Sequence, residues 1–228
     1  MAQQAARDTR DRLIEAAAEL VATTPGEDIS LREVCSMVGV KMPTLYHFFG
    51  SKQGLIEAVT ERGFDMYLGQ KSAMESSGDP IQDLRHGWDV HVDFGLVNPG
   101  FYTLMYGTVR PGFIPAAQNK ASAILRDLTA QAAAQHRLVV SSEQAAAHIL
   151  ATNVGVTLRQ IVCAKPDPEL SRAVRDGVLA TITGTHRHND GGGPIASVLE
   201  FAGAHPEVLG EEETRLLSVW LRRLKATS

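Results

Sequence analysis

Several things are scarce in this 228-residue chain, and each absence excludes something. Two cysteines cannot build a disulfide framework; Cys35 and Cys163 both fall in apolar helical patterns, which predicts two buried thiols in a reduced, cytoplasmic protein. Long apolar runs are missing. The longest, Ala145 to Ala164, is broken by His148, Asn153, Arg159 and Gln160, too polar for a transmembrane helix. The polar start, Met1 to Asp11, has no apolar core of a secretion signal. Strand signals are nearly absent: valine and isoleucine recur at helical spacing, and Asp190-Gly191 sits in a loop rather than between alternating apolar runs. Positive charge is not in excess. Lys and Arg number 22 against 26 Asp and Glu, net −4, and residues 1–52 hold six against seven. Any contact with nucleic acid therefore depends on a local basic face. No G-x-S-x-G, Walker-type, H-E-x-x-H or G-x-G-x-x-G segment is present, so no enzyme chemistry is expected. No metal or cofactor is expected either: His86 and His91 are five apart, a poor helical pair, and His186 and His188 lack acidic or thiol partners beside them.

Helix punctuation, by contrast, is dense. A first helix is predicted from about Asp8 to Thr23, with Leu13, Ala17, Leu20 and Val21 as its stripe and Pro25-Gly26 as its stop. Ser30 to Glu33 reads as a capping box opening a short helix that Gly39 ends. A second short helix starts near Lys41 or Met42, tolerates Pro43 in its first turn, and ends at Gly50. Ser51 caps a longer helix to about Ala73. After Ser76-Ser77-Gly78 come starts at Asp79-Pro80, Asn98-Pro99, Ser141 to Gln144 (a second capping box) and Asp167-Pro168. Gly191 to Pro194 is a loop, and a last helix opens on Glu211 to Glu213 and closes on Arg222, Arg223 and Lys225. The expectation is an all-α protein of roughly ten helices.

Residues 30–52 carry the most information. Leu31, Val34, Cys35 and Val38 share one face of the first short helix; Leu45 and Phe49 point inward from the second, with Val40 in the turn. Two short helices joined by a tight glycine turn describe a helix-turn-helix, whose second helix enters the DNA major groove. The alternative is a helical hairpin used only for packing, with Lys41 and Lys52 as solvated charges.

This segment resembles the signature of the TetR family of transcriptional regulators. Gly39-Val40 matches its turn, Pro43-Thr44-Leu45-Tyr46 its recognition helix, and Phe49, Ser51 and Lys52 the aromatic and the Ser-Lys start of the following helix. The resemblance covers about residues 8–60. It implies an N-terminal three-helix DNA-binding domain (1–52), a connecting helix and linker (53–77), and a C-terminal helical bundle (78–228) for ligand binding and dimerisation. On that resemblance, together with side-chain chemistry, the DNA-contacting residues are Arg32, Lys41, Met42, Pro43, Thr44, Tyr46, Phe48 and Lys52. Thr44, Tyr46 and Lys52 suit phosphate oxygens. Arg32 and Lys41 suit guanine or phosphate, and Met42 or Pro43 a thymine methyl. Two positions depart from the family: Lys41 stands where Ser or Thr is common, and Phe48 where His or Tyr is.

Most of the large side chains crowd one segment. Trp88, His91, Phe101, Tyr102, Met105, Tyr106 and Phe113, with Asn153 and Thr157 from a mostly apolar helix, are expected to line an apolar pocket with a few polar groups. An aromatic core with satisfied polar groups is the alternative. The 141–164 helix carries two apolar stripes, and the last helix carries Leu217, Trp220, Leu221 and Leu224; both are candidates for a two-fold homodimer interface. The partners implied are double-stranded operator DNA, a small, largely apolar effector and a second copy. The function implied is a repressor that its effector releases from a palindromic operator, with an activator or a helical adaptor without DNA binding as alternatives. The helix from 52 to about 73 is the natural lever between the two activities.

Overall fold

The structure, a computed structural model, describes residues 2–72, 75–107, 112, 116–185 and 194–225. Phe113, His186, Arg187, His188 and the Gly191–Gly193 loop lie outside the described residues. Within them the chain is helical and holds no strand. The order is α1 (Ala2–Thr23), α2 (Leu31–Val38), α3 (Met42–Phe49), α4 (Lys52–Ser72), α5 (Pro80–Val97), α6 (Pro99–Tyr102), a π turn (Thr103–Gly107), α7 (Ala116–Ala134), α8 (Ser142–Val162) and α9 (Pro168–Thr183). α10 (Pro194–Ala204), a 3-10 turn (Pro206–Val208) and α11 (Glu211–Lys225) follow. No helix among the described residues is long and apolar enough to cross a membrane.

The helix starts are where side-chain oxygens can take up the unpaired N–H groups of a first turn. The Ser30 hydroxyl accepts from the Glu33 N–H at 3.3 Å, Asp79 from Ile81 at 2.8 Å and Asp167 from Leu170 at 2.9 Å. Ser141 and Gln144 form the full reciprocal capping box. Asn98 differs from expectation. Its side chain caps nothing ahead of it and instead donates to the Phe94 carbonyl at 3.1 Å, finishing α5. A second expectation needs correcting: only Cys35 is buried. Cys163 is exposed, because α8 stops at Val162 and the thiol lies just past its end.

The chain divides into two compact units, residues 1–184 and 185–228. In the first, two cores form. One gathers Leu13, Val34, Leu45, Leu55, Val59 and Phe64 from α1 to α4, and extends without a break to Phe94, Phe101, Tyr102 and Met105. The other joins Leu84, Trp88, Val92, Ile149, Val156, Leu179 and Ile182 from α5, α8 and α9. α5 serves both cores. The unit runs on past the helix-turn-helix because α1 and α4 pack on α6 and α7 directly. Arg175 holds both oxygens of Asp89 at 2.8 Å, and Arg85 pairs with Asp176, pinning α5 to α9. The second unit is the α10–α11 hairpin. Thr214 is buried within it and Leu217 half-buried, while Phe201, Leu216, Val219, Trp220 and Leu224 are exposed.

Candidate DNA-reading face and internal cavity

α2 and α3 meet at Gly39, whose φ of 74° and ψ of 33° form a left-handed turn that a side chain would strain. Its N–H closes α2 on the Cys35 carbonyl at 2.9 Å, and Arg12 of α1 reaches across to the Val38 carbonyl at 3.0 Å. α3 begins at an extended Lys41 with no side-chain cap, as expected of a lysine in a capping position. Leu45 is fully buried beneath the helix; Lys41, Pro43, Tyr46 and His47 are exposed, and Thr44 is half-buried. One short helix therefore offers a lysine and two hydroxyls on its outer side, and Arg32 on α2 is exposed beside it. Met42 and Phe48 are only half-exposed. The Met42 sulfur lies 3.7 Å from the Cys35 sulfur, and the Phe48 ring packs edge-on to His47 and Phe49. Lys52 opens α4 next to this face and pairs with Asp28. The exposed His47 also stands on this face, signalled in the sequence only by its place one residue after Tyr46.

The second feature is a narrow, partly enclosed cavity of about 30 Å³. Tyr67 and Lys71 reach it from α4, Leu84, Gly87, Trp88 and His91 from α5, Tyr106 from the π turn, Ala121, Ser122, Leu125 and Leu128 from α7, and Ile149, Leu150 and Asn153 from α8. At its wall runs a buried polar chain. The Tyr67 hydroxyl lies 3.0 Å from His91 Nδ1, and the Tyr102 hydroxyl 2.6 Å from His91 Nε2. A neutral imidazole donates from one nitrogen and accepts at the other, so one tyrosine donates to the ring and the other accepts from it. Burial, with the Lys71 charge nearby, pushes the His91 pKa down to about 3 and keeps the ring neutral. Burial also raises the Tyr67, Tyr102 and Tyr106 hydroxyls well above the ordinary tyrosine value. Asn153 donates to the Trp88 carbonyl at 3.3 Å, Thr157 donates to the Asn153 carbonyl at 2.8 Å, and the Trp88 indole N–H donates to Ser171 at 3.1 Å.

Of the residues expected to form a pocket, Trp88, His91, Tyr106 and Asn153 line this cavity. Tyr102 and Thr157 stand immediately behind it, bonded to His91 and Asn153. Phe101 and Met105 face elsewhere, packing in the first core against Gly63 of α4. Phe113 lies outside the described residues. Tyr67 and Lys71 went unnoticed in the sequence, although a tyrosine and a lysine four apart share one helical face.

α6 connects the two features. A Cβ built on Gly100 would lie 2.0 Å from the carbonyl oxygen of Val21, near the end of α1. One residue on, Phe101 is buried against α4, and the next, Tyr102, holds His91. The layer behind the cavity wall thus touches the helix on which the helix-turn-helix is mounted.

Comparison with known proteins agrees with this geometry. The sequence profile of bacterial regulatory proteins of the tetR family matches residues 13–59, which span the second half of α1, all of α2 and α3, and the first turns of α4. No curated protein sequence matches the chain. Among solved structures, a protein of unknown function from Rhodococcus sp. RHA1 shares the fold with a TM-score of 0.63 at 20% identity, over 77% of this chain and 95% of its own. A protein from Rhodococcus sp. assigned to the TetR family of transcriptional regulators aligns with a TM-score of 0.60 at 19% identity, over 77% and 99%. RolR, in complex with its ligand resorcinol, aligns with a TM-score of 0.61 at 16% identity, over 79% and 90%. The N-terminal segment thus matches the tetR family of bacterial regulatory proteins over its helix-turn-helix, and the described residues share their all-helical fold with solved structures of TetR-type regulators.

Proposed function

We propose that the chain is a TetR-type transcriptional repressor that binds a two-fold operator as a homodimer and leaves it when a small, largely apolar molecule enters the cavity. One observation carries the reading. A single helix, α4, starts with Lys52 beside the recognition helix and ends with Tyr67 and Lys71 in the cavity wall. In functional terms the chain divides into a DNA-binding segment (1–52), a connecting helix and linker (53–77) and an effector and dimerisation region (78–228). On the DNA side, Lys41, Pro43, Thr44, Tyr46 and Arg32 face the groove and its phosphates, Lys52 grips a phosphate, and the exposed edges of Met42 and Phe48 complete the surface. On the effector side, Trp88, His91, Tyr106 and Asn153 meet the molecule directly; Tyr102 and Thr157 hold them, and Phe101 and Met105 relay movement to α4. That a protein of this fold, RolR, takes resorcinol supports an effector of about one aromatic ring.

An effector releases DNA only through its different affinity for two conformers of the protein. Here the cavity has to widen, displacing the Tyr102–His91–Tyr67 chain and, through α6 and α4, the recognition helix. The test is salt-titrated binding to DNA from the region upstream of its own gene, against scrambled DNA. Sequence-selective binding that Tyr46→Ala and Lys52→Ala weaken is expected. An adaptor without DNA function would bind both DNAs alike and be indifferent to either change.

A further inference from the structure

We propose that the effector is an organic carboxylate with an aromatic or other apolar body, and that Lys71 is its counter-ion. This rests on the reading of the cavity as the effector site. The Lys71 ammonium lies over the Tyr67 ring, 5.3 Å from its centre, and 3.8 Å from where a Cβ on Gly87 would stand. It sits between α4 and α5, half-buried, on the cavity wall. Among the described residues it makes no ion pair and no hydrogen bond, and no carboxylate lines the cavity. Ions withdrawn from water are ordinarily paired, because an isolated charge forfeits its hydration for nothing. The ring face of Tyr67 returns only part of that loss.

The surroundings decide what would pair with it. Among the described residues the titratable neighbours are Tyr67 on α4, His91 on α5 and Tyr106 on the π turn; the walls from α7 and α8 add Ser122, Asn153 and apolar side chains, and no charge. Burial holds His91 neutral and the tyrosine hydroxyls protonated at neutral pH, so among the described residues Lys71 is the single charge facing the space. A second cation would be repelled, and a neutral molecule would bury the ammonium still unpaired. A carboxylate neutralises it, while the apolar remainder of the molecule meets Trp88, Leu125 and Ile149. The lysine is already primed for such a partner: burial lowers its pKa to about 8, so it is charged at pH 7 but weakly hydrated.

The test uses the full chain, with benzoate, phenylacetate and 4-phenylbutanoate compared with their amides and with benzylamine, read by calorimetry and thermal shift. At least one acid is expected to bind ten times or more tighter than its amide at pH 7. Lys71→Met is expected to erase that preference while leaving amide binding in place, and Lys71→Arg to retain it. Should Lys71→Met fail to fold, the wild-type pH profile decides. Acid affinity is expected to hold up to about pH 8 and then weaken about tenfold per pH unit as the ammonium loses its proton, with amide affinity flat. Equal affinity for acid and amide, a preference that survives Lys71→Met, or a flat acid profile above pH 8 would overturn the carboxylate proposal and leave the cavity reading standing. Failure of every compound to bind would overturn both.

Discussion

His91 is buried, neutral and hydrogen-bonded at both ring nitrogens, and this makes it the group through which acid reaches the fold. Its pKa falls from an ordinary 6.5 to about 3 on folding. Below pH 6.5 the unfolded chain takes up a proton that the folded ring refuses. Stability is therefore complete above 6.5 and is lost as pH drops from there toward about 3. Urea unfolding between pH 6 and 4.5 is expected to show roughly 1.4 kcal/mol lost per pH unit. His91→Gln, less stable at pH 7, is expected to flatten that slope. Asp83 and Asp176 share the direction, but their carboxyls titrate at lower pH, below this window. A second residue-scale effect concerns Lys52. In the free chain Asp28 holds it, so a phosphate must compete with that carboxylate. Asp28→Asn is expected to tighten operator binding several-fold. Lys52→Ala is expected to weaken binding evenly across DNA sequences and lower the salt slope by about one.

At the scale of elements, the contact of α6 with α1 is a close joint between the helix-turn-helix and the layer behind the cavity. Gly100→Ala would place a methyl against the Val21 carbonyl, which can move only if α1 moves. A cost of about 1–3 kcal/mol in thermal unfolding is expected, with operator affinity falling further than stability alone explains. Elements of this kind differ in how well a sequence announces them. α2 and α3 were legible because local chemistry specifies them: a serine cap, a left-handed glycine and an in-register set of apolar residues all lie within twenty positions. Trp88, His91 and Asn153 were legible because large or polar side chains are conspicuous on apolar faces. α4 was not. It packs on α1 and α3 at one end and on α5, α7 and the π turn at the other, so its buried side turns along its length and leaves no single stripe. Tyr67 and Lys71 belong to the later side and disappear into that mixture. Asn98 failed as a cap for a similar reason: the bend between α5 and α6 places the Phe94 carbonyl within reach of its amide, and no propensity records that.

At the scale of the whole molecule, the second unit leaves Phe201, Trp220 and Leu224 each more than half exposed, large apolar side chains of the kind that mark an interaction surface when they adjoin. The proposed homodimer would cover them. Trp220→Glu with Leu224→Glu is expected to shift the protein toward monomer in sedimentation velocity, and with it to weaken operator binding by orders of magnitude, since two recognition helices no longer act together. The volume of the cavity, about 30 Å³, bears on timing. It holds no more than about two water molecules, so a ring-sized guest must wait for the walls to part. Capture would then be set by how often the protein opens, well below the rate of diffusional encounter, and the same closure would detain the guest once inside. Such a switch answers slowly to a brief pulse of its signal and forgets it slowly afterward.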